Sequence, residues 1–429
     1  MSLPGEHSMT PANVVPLGPV FISYRYRDGH ELAVRLAWAL RSAGVPVWHD
    51  EEDMLPGDTT TRLQEALAGG LSGAILLVTP EIGDSVVVKN VEFPELLQLH
   101  ASSDFTFVIA NAIPNPDVPG QVDRDAPGRL LGRSAEILKE IKQYPTFVDE
   151  ACETIAYWVA RSRMANYRRS GEETLTIDLQ TRSAPQAFAS QAGLVVRTIP
   201  PTSGSRAPSP EAWTPWRSFL RNLPTLVEAF GARQVRILGG AHLAAAFALG
   251  AALPETARYP VAVQDQRENL WEATVQGPPA GLESEENFSE GAARRPAAVF
   301  VDLVSSDQPV DEFGELLKRR PADFSGSLRI WLATRRFLNP EEGGATAAEV
   351  SQRIRQFASR CGTYQIHLFL RVSFPLAILI GRLLNTLEIT LYEVEEDSNG
   401  RRYIASLTVA SGRGGGPIVA IHRQLSLSS

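Results

Sequence analysis

The chain reads as an α/β protein with parallel sheets in two domains, and three observations predict this. An apolar strand, an amphipathic helix and a second strand follow one another within the first fifty residues. Strands and helices alternate again after a Pro/Ser-rich stretch near residue 205. A strand–loop–helix segment in the second half occurs twice, Val235–Gly250 matching Ile366–Gly381 without a gap.

The first strand, Val20-Phe21-Ile22-Ser23-Tyr24, passes into Arg25-Tyr26-Arg27-Asp28. A helix is expected over Glu31–Ala43, then a strand Val45-Pro46-Val47-Trp48, then an acidic loop from His49 to Asp58. A short right-handed crossover between parallel strands gathers ligands at the strands' carboxyl ends. Those ends supply Ser23, Tyr24, Arg25 and Asp50. A third strand spans Gly73–Pro80, followed by a loop to Lys89 and a helix over Val91–His100. Phe105–Ala110 reads as the fourth strand, Asn111–Gly128 as a Pro/Asp-rich loop, and Thr146–Arg169 as a long helix ending in a basic run.

Strands are expected at Leu175–Leu179 and Leu194–Val196, and Pro200–Pro210 is a surface connection. Beyond it come a helix Trp213–Phe230, the first repeat copy, and strands Tyr259–Gln264, Ala297–Val304 and Leu328–Thr334 before the second copy. Each copy is a strand, a loop and an apolar helix ending on glycine, followed by a strand of matching register at Val261–Val263 and Tyr392–Val394. Self-similarity of this kind means two related subdomains rather than a solenoid. Two Rossmann-like halves facing each other set two equivalent strand-end loops around one pocket. Gly239, Gly240 and His242 occupy one loop; Arg371, Ser373 and Phe374 occupy the other. Free N–H groups at helix starts attract phosphates. Arg335 and Arg336, after the strand Leu328–Thr334, add charge, and Phe337 adds a ring.

At 429 residues and 44% hydrophobic content, the chain is sized for two or three globular domains. No run of eighteen apolar residues exists, so no membrane span is expected. Met1–Pro19 lacks a basic region followed by an apolar core and reads as a flexible extension, not a secretory signal. Cys152 and Cys361 stand far apart and provide neither a disulfide framework nor a zinc site; a cytoplasmic location follows as the default. A net charge of −8 argues against DNA binding, which needs a broad basic face.

Val20–Arg25, the Leu55-Pro56-Gly57 loop end and Gly73–Pro80 together resemble a TIR domain over residues 18–168. The resemblance implies a flavodoxin-like parallel sheet. It also implies one of two roles: an interaction scaffold, or cleavage of the nicotinamide–ribose bond of NAD+ by a glutamate just after the third strand's loop. Glu92 matches that glutamate, with Glu95 one turn further on as the second candidate. Nicotinamide leaves as a neutral amine, so the barrier lies in the positive charge developing on ribose, which an ionised carboxylate stabilises. Asn90 is expected to cap the helix and Pro94 to sit in its first turn. The NAD+ contacts implied are Ser23, Tyr24, Arg25 (near the diphosphate), Trp48, Asp50, Asp53 and Ser85. Members that cleave NAD+ often carry a Ser-x-Trp pair; Ser85 matches, but Val86 or Val87 stands at the Trp position. The acidic loop Asp50–Gly57 resembles the mobile BB loop that completes a neighbour's active site in several members.

His367–Arg371, Pro375–Asn385 and Leu391-Tyr392-Glu393 resemble the SAVED family over residues 172–413. That family fuses two CARF-like halves and senses cyclic oligonucleotides in the bacterial anti-phage systems called CBASS. The combined expectation is an extension (1–18), a TIR domain (19–169), a SAVED domain (170–413, halves meeting near 304) and a tail (414–429). A cyclic trinucleotide, cyclic tri-adenylate, would bind the second domain and drive head-to-tail self-association into filaments. The completed TIR sites would hydrolyse NAD+ to nicotinamide and ADP-ribose. NAD+ is then substrate and the cyclic oligonucleotide activator, with no resident cofactor and no metal. The alternatives are a TIR scaffold that recruits a partner, and a TIR that releases a cyclised ADP-ribose.

Overall fold

The computed structural model describes residues 14–48, 67, 69–138, 140–182, 192–201, 207–256, 259–274, 277–289, 295–305, 312–320, 322–397, 400–410, 412 and 414–422. It divides into two compact units: residues 1–172 with 186–195, and residues 173–185 with 196–429. No described helix is long and apolar enough to cross a membrane. Cys152 and Cys361 are free and buried, and burial pushes the Cys152 thiol up to about 11.

In the first unit, β1 (Val20–Ser23), β2 (Val47–Trp48), β3 (Gly73–Val78), β4 (Thr106–Asn111) and β5 (Lys142–Pro145) form one sheet in the order β2-β1-β3-β4-β5. All its pairings are parallel. Every residue of β3 and β4 is buried, as expected where helices cover both faces of a parallel sheet. The helices are α1 (Tyr26–Ser42), α2 (Phe93–His100), α3 (Ala126–Leu131), α4 (Ala135–Leu138) and α5 (Ala151–Tyr167). Helix α1 buries Ala33, Leu36, Ala37 and Leu40, a 3.6-period stripe, and it packs on α5. In this strand order the chain reverses direction between β1 and β3, which makes that point the natural crevice.

Several expectations change: α1 starts at Tyr26, ahead of the expected Glu31, and α3 begins within the expected loop at Ala126. β5 is a strand that Lys142-Gln143-Tyr144-Pro145 does not announce: it is short, polar and at the sheet edge, the position that tolerates Pro. The helix expected from Thr146 starts at Ala151, after Glu150 turns the chain in a left-handed conformation (φ 54°). Asn90 is no cap, because the helical path is already under way at Val88.

The second unit holds two sheets. The first runs β10 (Leu270–Glu272), β9 (Val261–Gln264), β8 (Gln234–Gly240), β6 (Thr174–Gln180), β7 (Leu194–Arg197). The second runs β11 (Leu282–Phe288), β13 (Gly326–Leu332), β12 (Ala297–Asp302), β14 (Gln365–Arg371), β15 (Glu388–Asp397), β16 (Gly400–Ala410), β17 (Ile418–Ile421). Their helices are α6 (Pro210–Phe230), α7 (Leu243–Ala252), α8 (Glu312–Arg319), α9 (Gly343–Cys361) and α10 (Phe374–Leu383). The repeat is visible as β8-α7-β9 and β14-α10-β15, both parallel. Helices α7 and α10 cross at Gly250 and Gly381. A Cβ on Gly250 would lie 2.1 Å from the Ile378 carbonyl oxygen, and one on Gly381 would lie 2.2 Å from that of Phe247. In the repeat, 247 corresponds to 378 and 250 to 381, so the two contacts are one contact seen from each side of a local dyad. The Ala-rich face of α7 and the Leu/Ile-rich face of α10 are buried almost throughout.

Candidate functional sites

At the β1–β3 crevice the sequence-predicted residues Ser23 and Glu92 meet. Ser23 ends β1 with no exposure, and its hydroxyl donates to Glu92 Oε2 at 2.6 Å. Glu92 is itself buried, 6% exposed. It closes a π-helical turn, Val88–Glu92, in which the Phe93 N–H bonds to the Val88 carbonyl five residues earlier. Pro94 explains the widened turn. It lies in the first turn of α2, lacks the N–H that would reach back to the Asn90 carbonyl, and crowds that carbonyl with its ring. Single π turns re-aim one side chain and recur at functional sites. Val88 and Phe93, flanking the turn, are anchored in the core with Phe21, Leu76 and Val78. Glu95 is half-buried one turn on; Ser23 contacts Glu92.

The other residues expected at NAD+ have the following partners. Arg25, at the N-cap of α1, hydrogen-bonds Glu81 and lies 3.8 Å from Asp28 and 3.7 Å from Asp84. The bond to Glu81 raises its pKa further. The Glu81 N–H in turn donates to Asp28 at 3.0 Å, tying the loop after β3 to the first turn of α1. The guanidinium thus serves an acidic collar. Tyr24 is half-buried, its ring 6.4 Å from that of His30. Trp48 packs against the core beside Phe21, its register partner. Ser85 Oγ accepts the Val88 N–H at 3.3 Å and so caps the π turn, while Val86 is 69% exposed. Asp50 and Asp53, with their acidic loop, lie outside the described residues.

In the second unit, both repeat loops line one cavity of about 840 Å³. Gly239 and Gly240 come from the β8 end, Ser373 and Phe374 from the β14 end, and Arg336 from the loop after β13. Gly239 has φ +112°, and a Cβ there would meet the Leu179 carbonyl oxygen at 2.2 Å, so only glycine fits. Ser373 is the N-cap residue of α10, and its buried hydroxyl has no hydrogen-bond partner among the described residues. Arg336 bonds Glu342 through two nitrogens at 2.7 and 2.5 Å, which raises the arginine's pKa and lowers the carboxyl's. Arg182, Arg267, Trp271 and Phe337 also line this cavity, and Arg267 lies 5.2 Å over the exposed Phe337 ring. Apart from Phe337, sequence reading missed them. Arg182 and Arg267 sit in turns and Trp271 in the short strand β10, where an arginine or aromatic residue in a polar stretch was the only signal.

His242 and Arg371 are instead in the wall of a second cavity of about 590 Å³, which shares Arg182 and Leu243 with the first. His242 is satisfied locally: Nδ1 lies 2.7 Å from Thr181 Oγ1, and that oxygen also accepts the His242 N–H at 2.8 Å. Arg371 pairs with Asp302 at 3.2 Å. Arg335 is exposed and lines neither cavity. The N-terminus of α7, expected open for phosphate, already gives the Ala244 N–H to Glu393 Oε1 at 2.7 Å.

Comparison with known families finds two matches. The TIR domain model matches residues 20–122. The SMODS-associated and fused to various effectors sensor domain, SAVED, matches residues 219–409. No curated protein matches the chain. Among solved structures, the Acinetobacter baumannii Cap4 SAVED/CARF-domain containing receptor with the cyclic trinucleotide 2'3'3'-cAAA is 12% identical, with a TM-score of 0.43 over 89% of this chain and 97% of that one. The Moraxella osloensis Cap4 SAVED/CARF-domain containing receptor is 12% identical, with a TM-score of 0.41 over 90% and 98%. A metazoan TIR-STING receptor from C. gigas in complex with 2',3'-cGAMP is 13% identical, with a TM-score of 0.24 over 89% and 92%.

Proposed function

Because the chain joins an N-terminal TIR domain to a C-terminal SAVED sensor domain, we propose that it is a cyclic-oligonucleotide-activated NAD+ hydrolase of bacterial anti-phage defence. The observation that carries the reading is the buried Ser23–Glu92 pair in the β1–β3 crevice. A carboxylate held there by a hydroxyl has a fixed orientation and little water around it, so its charge acts strongly on a cation formed beside it. The C1′–N bond of NAD+ breaks with its electron pair leaving on neutral nicotinamide. Glu92 stabilises the ribosyl cation, water adds at C1′ and loses a proton to solvent, and ADP-ribose is released.

The activator is a cyclic trinucleotide, cyclic tri-adenylate, bound where the two repeat loops meet. Unequal faces brought together head to tail propagate rather than close. Ligand-driven association then assembles TIR sites from Glu92 of one copy and the acidic loop of the next. NAD+ cleavage by purified protein, alone and with a panel of cyclic di-, tri- and tetranucleotides, tests this. Cleavage is expected with one ligand only, with Glu92→Gln lowering it at least about a hundredfold; activity of a ligand-bound monomer that does not depend on protein concentration would exclude the assembled site. The scaffold reading is favoured by one observation, the occupation of Arg25 by Glu81, which a substrate diphosphate must displace. Binding of a cyclic oligonucleotide without any NAD+ turnover decides for it.

A further inference from the structure

The second cavity of the sensor unit has in its wall a buried carboxyl with no ion pair within 4 Å among the described residues. Glu393, on β15, is 8% exposed. Among the described residues it makes one hydrogen bond, from the Ala244 N–H, and no ion pair within 4 Å. A carboxylate buried with a single hydrogen bond and no ion pair is driven toward its neutral form. Several charged and titratable groups line the same cavity. Arg182 follows β6, His242 caps α7, Glu312 opens α8 and Arg371 ends β14. Tyr392 is its neighbour on β15, and Arg401 and Tyr403 come from β16. Burial outweighs the Ala244 bond and the attraction of Arg182, and pushes Glu393 up to about 7.

We propose that this cavity is the base-reading chamber of the cyclic-oligonucleotide site, and that Glu393 pairs with the edge of an adenine. The proposal rests on the sensor reading above. A neutral carboxyl sets one O–H donor beside one C=O acceptor. Adenine offers the complement, a ring-nitrogen acceptor beside an amino donor. At about 590 Å³ the chamber has room for a nucleotide, and Arg182 stands at its join with the larger cavity that holds the two repeat loops. Nothing in the loop sequences pointed to Glu393. It reaches the site because β15 runs beside the start of α7.

The test is the affinity of the full-length protein for cyclic tri-adenylate from pH 6 to pH 8. The competent form is protonated, so affinity rises as pH falls through 7, by about tenfold between pH 8 and pH 6. Glu393→Gln keeps an acceptor for the Ala244 N–H and presents a donor beside it. It is expected to bind at the wild-type low-pH affinity with no pH dependence, while Glu393→Ala binds weakly at every pH. Thermal melting confirms that the variants fold, and the Gln arm suffices if the Ala variant does not. A pH-independent wild type, or a slope that survives in Glu393→Gln, overturns the proposal. So does a protein that binds another cyclic oligonucleotide but not cyclic tri-adenylate. Failure of the wild type to bind any member of the panel overturns the sensor reading itself.

Discussion

Ser23 and Glu92 are 69 positions apart in sequence, and their 2.6 Å hydrogen bond fixes where the carboxylate's charge sits. Ser23 was read as a substrate contact; its hydroxyl donates to the candidate catalytic group, and on the proposed function it acts as a positioning residue. A hydrogen bond to a charged group contributes about 1.5–3 kcal/mol, so Ser23→Ala is expected to lower kcat roughly 10- to 100-fold. The fall should appear in kcat more than in KM, with the melting temperature nearly unchanged. An equal rise in KM at constant kcat would return Ser23 to the substrate. Glu92 was legible as a candidate because the TIR resemblance implies a glutamate after the third strand's loop, and an ionised carboxylate suits the chemistry that resemblance implies. Arg25 was legible only as a charge. Glu81, Asp28 and Asp84 converge on it from a different part of the chain, and spacing alone does not reveal that.

At the scale of elements, the π turn is the least legible feature and the one that aims Glu92. Periodicity places a helix over these residues but cannot show that one turn is wider than the rest. Pro94 is the visible cause, and Pro94→Ala supplies the missing N–H. An ordinary turn is then expected to form, swinging Glu92 away from Ser23. Activated NAD+ cleavage should fall at least about tenfold while stability holds or rises, since the removed Pro no longer breaks the ladder. Retained activity would mean that the turn is set by the core contacts of Val88 and Phe93 instead. The central strands were read nearly to their bounds, because apolar runs such as Ala297–Asp302 leave little choice, whereas helices α3, α4, α8 and α9 and strand β16 went unread. The edge strands β5, β10, β11 and β17 escaped reading. They are short or polar, and their pairing, not their composition, makes them strands.

At the scale of the whole molecule, the repeat was read from sequence alone, and the structure turns it into a dyad between α7 and α10. The sequence placed both repeat loops around one pocket; the structure divides their residues between two cavities that meet at Arg182 and Leu243. The second cavity is lined by β15, the last strand of the second copy, and by β16, which lies outside the repeat. The dyad makes its own prediction. Gly381→Ala drives a methyl into the Phe247 carbonyl, and overpacking of this kind costs about 1–3 kcal/mol or more. The sensor unit's melting temperature is expected to drop by several degrees, about 2–4 °C per kcal/mol for a unit of this size. An unchanged transition would mean the helices slide apart freely.

The same crossing bears on how the two halves can change over time. Each glycine is constrained by the backbone of the other half, not by its own. A duplicated segment ordinarily frees one copy to drift while the other keeps the original part. Here the copies hold each other at one point, so divergence is confined to what lies beyond the crossing: the loops, where one half carries Gly-Gly-Ala-His and the other Arg-Val-Ser-Phe at neighbouring places. A symmetric fastening therefore leaves the two loop ends free to become unlike.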